Sequence, residues 1–267
     1  MRQTLDDLYH IYNRPAFIHP DPLEIVYRFR DPADREIAGM IASALAFGRV
    51  SQILLTLGRV FDVIGPSPSV YLNRSDHASL TLDFNGFVYR FVRDRHLVDF
   101  LLGLKGLISR FGSVERAFID GLSQDDETLV PAMDTLVRQM LDQGRDPGYL
   151  LATPSRNSAC KRLNLYLRWM VRNDAVDTGT WTRVSPRRLI VPLDTHMHRI
   201  ALHLGLTARR SADMKTALEI TRAFAAICPE DPVKYDFSLT RFGIHPDLDS
   251  RGLMGTLGFA HPTGDTG

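Results

Sequence analysis

Apolar residues recur at a helical spacing along most of the chain, which predicts a succession of helices joined by short turns. Asp31-Pro32 places an N-cap acid before a proline at the first helical position, and Ile37, Met40, Ile41, Ala44 and Leu45 continue the apolar face to about Phe47. Gly48 breaks this helix. The next carries Ile53, Leu57, Val60, Phe61 and Ile64 on one face and stops at Gly65-Pro66, so the segment ALAFGRV is a corner between two helices. Further helices are predicted from Arg95 to Phe111, from a Ser113 cap to Phe118, and from Asp125 to Leu141. Ser158 is the expected cap of a helix to about Arg172. A loop with Gly179, Pro186 and Pro192 separates it from a helix that opens at Asp194-Thr195 and ends at Gly205. Ser211 to Ile227, and Asp231-Pro232 through Phe242 with Gly243 as the stop, complete the series.

No sustained two-residue alternation bounded by hairpin turns occurs, and segments such as SLTLDF at 79–84 are too few for a sheet. The fold class expected is all-α, without internal repeats. The tail from about Asp249 is Gly-rich and expected to be loose, which leaves residues 1–248 as the folded unit and 249–267 as a flexible tail.

A chain of 267 residues can bury a full core, and its 44% hydrophobic and 24% charged content is that of a soluble globular protein. Nothing approaches the roughly 20 apolar residues of a membrane span, and the start, MRQTLDDLYHIY, is not a secretory signal. A cytoplasmic location without membrane association is expected. Two cysteines, Cys160 and Cys228, support neither a disulfide framework nor a four-cysteine iron–sulfur site. Cys160 reads as a small buried hydrophobe, although the adjacent Lys161 would favour its thiolate.

Charge changes the picture. Between Arg156 and Pro192 stand eight basic residues and two acidic ones, a local balance of +6, while the whole chain comes to +1 and the remainder therefore to −5. Localised positive charge points to a polyanionic partner. On the predicted helix, Lys161, Leu165, Arg168 and Arg172 share one face and Leu163, Tyr166, Leu167 and Met170 face inward. Lys161 stands in the first turn, near the positive end of the helix dipole and beside Arg162, surroundings that disfavour a further positive charge.

Common catalytic motifs are missing: there is no GxxxxGK[ST] loop, GxSxG elbow, HExxH or CxxC. His196 and His198 would point about 200° apart on a helix, and His196 and His203 lie roughly 10 Å apart along it, so no metal site is expected. What remains is an amine with a carboxylate in a basic setting. A lysine amine can attack a sugar C1′ and displace a base as a Schiff base forms, and Asp194 can accept the proton or stabilise the developing cation. The same residues also read as one more phosphate contact and a plain helix cap.

The segment PLDTHMHRIALHLGL is similar to the P-x-D-T-H-V-x-R…LG stretch of the helix-hairpin-helix DNA glycosylase superfamily, through Pro192, Asp194, Thr195, His196, Arg199, Leu204 and Gly205. EIAGMIASALAFGRVSQI resembles the helix pair with a Leu-Ser-Gln-Gln-Thr-like corner, and YDFSLTRFG the last core helix, so the likeness spans most of residues 35–243. Where the superfamily has a Leu-Pro-Gly-Val-Gly-x-Lys hairpin, this chain reads TPSRNSACK, and 33 positions separate Lys161 from Asp194. That layout is closest to the archaeal-type 8-oxoguanine glycosylase branch, which lacks an iron–sulfur cluster.

The resemblance implies two helical subdomains with a cleft between them, damaged double-stranded DNA as partner, a monomer, and no cofactor. It assigns Lys161 and Asp194 as the catalytic pair that excises an oxidised purine, 8-oxoguanine favoured, from an extruded nucleotide and cuts the strand by β-elimination. Arg49, Arg156, Arg162, Arg168, Thr195, His196 and Arg199 are the expected DNA contacts. Phe47, Leu165, Trp169 and Asp236 are the expected base pocket. Phe47 fills the gap left by the base or belongs to the core; Trp169 stacks on a base or is buried; Asp236 reads ring N–H groups or pairs with Lys234 or Arg241. A non-catalytic nucleic-acid-binding protein and a metal phosphohydrolase are the competing readings.

Overall fold

A computed structural model describes residues 1–156, 158–245, 247–248 and 253. It is all-α, as the apolar spacing predicts: among the described residues the only strands are a two-residue pair. Helix α1 (Arg2–Tyr12) precedes a 3₁₀ turn at Pro22–Arg28, and α2 (Pro32–Ala44) and α3 (Val50–Ile64) flank the corner at 45–49. After α4 (Pro68–Arg74) and α5 (His77–Asp83) comes a hairpin of β1 (Val88–Tyr89) and β2 (Val92–Arg93). Three helices follow, α6 (Asp94–Phe111), α7 (Val114–Asp120) and α8 (Val130–Met140), packed on one another. The second half is α9 (Lys161–Val171), α10 (Thr195–His203), α11 (Met214–Ile227) and α12 (Asp236–Ile244).

Acids define many helix starts. Asp31 accepts the Ala33 and Asp34 amides at 2.8 and 3.4 Å, and Asp34 in turn accepts the Ser69 amide at 2.7 Å near the start of α4. Glu36, inside α2, accepts the amides of Val114 and Glu115 and the indole N–H of Trp181 at 2.6 Å, so it neutralises the positive end of α7 from another helix. Burial pushes its carboxyl above the usual carboxylate range despite these three donors.

Several helix ends depart from the sequence reading. Asp231 does not cap a helix, since both its oxygens accept from Arg172 Nε; residues 232–235 form turns and α12 starts at Asp236. Gly243 does not stop α12, which runs to Ile244. Ser158 accepts the Cys160 amide at 3.2 Å, and Cys160, at φ 46°, is the residue before α9. Ser211 donates to Asp213, which is the true cap of α11. The helix expected from Asp125 begins at Val130. SLTLDF lies largely in α5, where Asp76 and Ser79 form a capping box. Helix α1 escaped prediction although Leu5, Leu8, Tyr9 and Tyr12 follow the helical spacing.

The core is one continuous apolar cluster reaching from Leu5 to Leu253. Helix α9 lies at its centre, buried from Leu163 through Val171 and packed against α2. The two helices approach closely at Gly39, where an added Cβ would meet Met170 Cε at 2.9 Å. Helix α1 lies on α12, bringing the two ends of the fold together, and α10 also packs on α12. Among the described residues no helix is long and apolar enough to cross a membrane. Of the tail beyond 248, all but Leu253 lies outside the described residues.

Helices α6 and α8 also cross closely. A Cβ on Gly103 would stand 2.5 Å from the Met140 carbonyl oxygen, a backbone atom with little room to move. Alanine gains about 1 kcal/mol of helix propensity, whereas forced overpacking costs about 1–3 kcal/mol. Gly103→Ala is therefore expected to lower stability by about 1–2 kcal/mol in denaturant unfolding; an unchanged or raised midpoint would show that the helices separate freely.

Candidate active site

Lys161 and Asp194, from two helices far apart in sequence, meet across a cavity of about 900 Å³. Lys161 is the first residue of α9, and Asp194 is the N-cap of α10. Their Nζ and Oδ2 atoms lie 3.8 Å apart, both side chains partly open to solvent. The two oxygens of Asp194 divide their tasks: Oδ1 accepts the Met197 amide at 2.8 Å while Oδ2 faces the amine. Cap and candidate catalyst are thus one residue, and the cap fixes the direction of the free oxygen. Of the four lysines in the sequence, Lys105 donates to the Asn73 and Ser75 carbonyls, Lys234 pairs with Asp6 at 2.6 Å, and Lys215 is exposed on α11; only Lys161 lines the cavity.

The floor carries charge. Asp236, 3% exposed at the start of α12, receives a 2.5 Å hydrogen bond from Arg168 Nη1 through Oδ2, while its Oδ1 and the Arg168 Nη2 are buried without a partner. Both residues line the cavity. Burial, outweighing Arg168, pushes the Asp236 carboxyl up to about 6, and the nearby Asp194 carboxylate adds to the rise. Arg168 remains cationic: burial opposes its charge, but Asp177, Asp236 and Asp21 together hold its pKa above the ordinary arginine value. A second floor pair, Arg241 to Asp21 at 2.5 Å, closes the site against α12.

Arg168 and Arg172 do not form an exposed basic stripe. Arg168 bonds Asp177 and Asp236; Arg172 bonds Asp177, Asp174 at 2.8 Å and Asp231 at 2.9 Å. Asp231 and Asp236, which lie beyond the basic segment, offset part of its positive excess. Arg162 is likewise engaged: its guanidinium donates to the Ala44 and Tyr149 carbonyls between the rings of Phe47 and Tyr149, and burial lowers its pKa. Arg168 is buried and held by two acids, and Arg162 is held by two carbonyls and two rings, so neither is an exposed surface cation.

The other expected residues divide. Phe47, Arg49, Leu165, Thr195 and His196 line the cavity with Arg49 and Thr195 exposed; Arg156 and Arg199 are exposed but stand outside its lining. Trp169 is fully buried in the core and presents nothing to a base. Asp236 pairs with neither Lys234 nor Arg241 but with Arg168. Gly243 earns its place by proximity: a Cβ there would fall 2.2 Å from His196 Nδ1, so the glycine admits the imidazole to the wall. His198 is turned away onto the Arg209 carbonyl at 2.8 Å. Cys160 is buried with its thiol pushed up to about 11 by burial, which makes it unreactive. Among the described residues no three His, Cys, Asp or Glu side chains gather in metal-binding range. Tyr149, Asp21, Arg241 and Asp177 were not predicted; a Tyr two residues after a Pro and acids opposite distant arginines leave no local sequence signal.

A family model described as "Protein of unknown function (DUF2400)" matches residues 21–245. No curated protein and no solved structure matches the chain.

Asp236 gives the site a pH signature. Its carboxyl is ionised above about pH 6 and becomes a neutral acid below it. With Oδ2 held by Arg168, a proton taken up by Asp236 goes to Oδ1 and turns the free acceptor into a donor, so binding of an N–H-bearing ligand in the floor is expected to weaken as pH falls through 6. Asp236→Asn should remove that inflection from the binding profile. An inflection that persists in the variant assigns it to another group.

Proposed function

The chain belongs to the DUF2400 family, and we propose from its site that it is a DNA base-excision glycosylase with lyase activity, acting on an oxidised purine such as 8-oxoguanine. One observation carries this reading: the only lysine on the cavity stands 3.8 Å from a carboxylate oxygen that its own helix cap holds in place. The resemblance of the Asp194-Thr195-His196 segment to the helix-hairpin-helix glycosylases supports it. A cavity of about 900 Å³ is ample for a nucleotide swung out of a duplex.

The chemistry follows from the pair. Asp194 Oδ2 accepts the proton that Lys161 must shed. The freed Nζ lone pair attacks C1′, and the C1′–N bond breaks with its electrons leaving on the base, which takes up a proton. Carboxylate charge beside the sugar stabilises the cationic character that develops there. Ring opening gives an imine between Nζ and C1′; loss of a C2′ proton expels the 3′ phosphate, and water later releases the enzyme from the sugar fragment. Asp236, which lines the floor and has one unpaired oxygen, would read N–H groups on the extruded base, with Leu165 and Phe47 supplying apolar walls.

Arg49 at the rim is the accessible cation of the cavity, so phosphate contacts fall to it and to surface arginines such as Arg156 and Arg199 rather than to Arg162 or Arg168.

Borohydride reduction with lesion-bearing duplex is expected to trap a covalent complex with the native chain and none with Lys161→Gln. Asp194→Asn retains an N-cap, so its fold should keep its stability to within about 0.5 kcal/mol while excision falls about 10²- to 10⁴-fold. Salt-sensitive binding that survives both substitutions with no trapped product from the native chain would instead identify a nucleic-acid-binding protein without catalysis.

A further inference from the structure

The hairpin between α5 and α6 carries the feature that the excision centre leaves unexplained. Its tip, Arg90-Phe91, projects two side chains into solvent, and Phe91 is 65% exposed. A lone exposed aromatic is ordinary. This one begins a row. The Phe91 ring lies 5.6 Å from that of Tyr149, itself 51% exposed; Tyr149 lies 4.9 Å from Phe47; and Phe47 lies 4.9 Å from Tyr89 of the same hairpin. The Arg162 guanidinium is sandwiched at 4.6 Å from the Tyr149 centroid and 5.0 Å from that of Phe47. Phe47, Tyr149 and Arg162 line the cavity, and Arg162 adjoins Lys161. A continuous aromatic surface therefore runs from the hairpin tip to the candidate nucleophile.

Charge says what covers it. Arg90, Arg93 and Arg95 are exposed on and beside the hairpin, and Arg49 stands on the adjoining rim. Asp94, just after the hairpin, accepts the Gly86 and Arg95 amides, and Asp146, three residues before Tyr149, accepts the Gly148 amide. Arg90 has φ 52° in a two-residue turn where glycine or asparagine is the favoured occupant. Gly48 yields to it: a Cβ there would stand 2.7 Å from Arg90 Nη1, so the guanidinium is packed over the corner at the cavity mouth.

We propose that this hairpin is the element that enters the duplex: Phe91, backed by Tyr149, fills the gap left by the extruded base, and Arg90, Arg93 and Arg95 grip the flanking phosphates. Apolar rings inserted between base steps and arginines on the backbone are the general means by which proteins hold an opened duplex. This rests on the reading of the cavity as an excision centre. It relocates the wedge from Phe47, which is half-buried and fixed between Tyr89, Tyr149 and Arg162.

The test uses the full chain carrying Lys161→Gln, so that no chemistry intervenes, and a duplex with 2-aminopurine beside an abasic-site analogue. Binding should raise the 2-aminopurine fluorescence as the neighbouring stack opens. Adding Phe91→Ala, at an exposed position with little structural burden, should abolish that rise and weaken duplex binding about 5- to 100-fold, the range that one lost base–aromatic stack gives. Adding Arg90→Gly, which relieves the turn while removing a charge, should weaken binding and lower the slope of its salt dependence by about one counterion. Equal affinity and an equal fluorescence rise with and without Phe91→Ala overturns the proposal, as does a chain that does not bind the duplex. Borohydride trapping by the native chain is read separately. Trapping with no effect of Phe91→Ala leaves the excision centre standing and removes the wedge; a Phe91 effect without trapping leaves a duplex-opening hairpin on a protein that is not a glycosylase.

Discussion

The buried ion cluster around Arg168 and Arg172 is the constraint on which the rest of the structure depends. Two guanidiniums four residues apart, from the last turn of α9 and its C-cap, are surrounded by Asp174, Asp177, Asp231 and Asp236. Removing two charges from water costs several kcal/mol each, and the attraction between them repays this only when the hydrogen bonds are nearly complete. The acids come from the loop after α9, the turn before α12 and α12 itself, so the cluster can close only if those segments are docked on α9. Deleting one member would strand its partners, at about 3–5 kcal/mol. The cluster thereby holds the first residue of α9 and the first of α12 in a fixed relation, with the α10 cap alongside through its packing on α12.

Much of the architecture is legible in the sequence because a helix with one buried face announces itself through its spacing. The corner at Ala44–Val50, the Asp31-Pro32 start and the break at Gly112 are of this kind. Helix α9 is not, because it is buried on all sides. Its arginines fall on the apparent polar face, and the one-face rule sends them outward; the acids that turn them inward stand up to 68 positions away and carry no local signal. Trp169 follows the same logic. Gly243 reads as a helix stop by composition, whereas its actual role, the close approach of His196, depends on a contact that only the fold creates.

The catalytic candidates were legible for a different reason. An acid at a helix start and a lysine in a first turn are local features, and the likeness of the Asp194-Thr195-His196 segment to a known enzyme superfamily joins them before any distance is known. Position then adds what spacing lacks. Asp194 is both cap and neighbour of the amine, which makes it rigid without burying it, and Asp236 supplies a second carboxyl whose environment raises its pKa to about 6. Two carboxyls with different surroundings on one cavity with an amine suit the chemistry proposed for the site.

The proposed chemistry turns on one atom, Lys161 Nζ. Peptide mapping by mass spectrometry of the borohydride-reduced complex between the native chain and lesion-bearing duplex reads it directly. A deoxyribose adduct on the peptide containing Lys161, and on none containing Lys105, Lys215, Lys234 or the N-terminal amine, is the predicted result. An adduct on any of those amines in place of Lys161 would contradict the site described above.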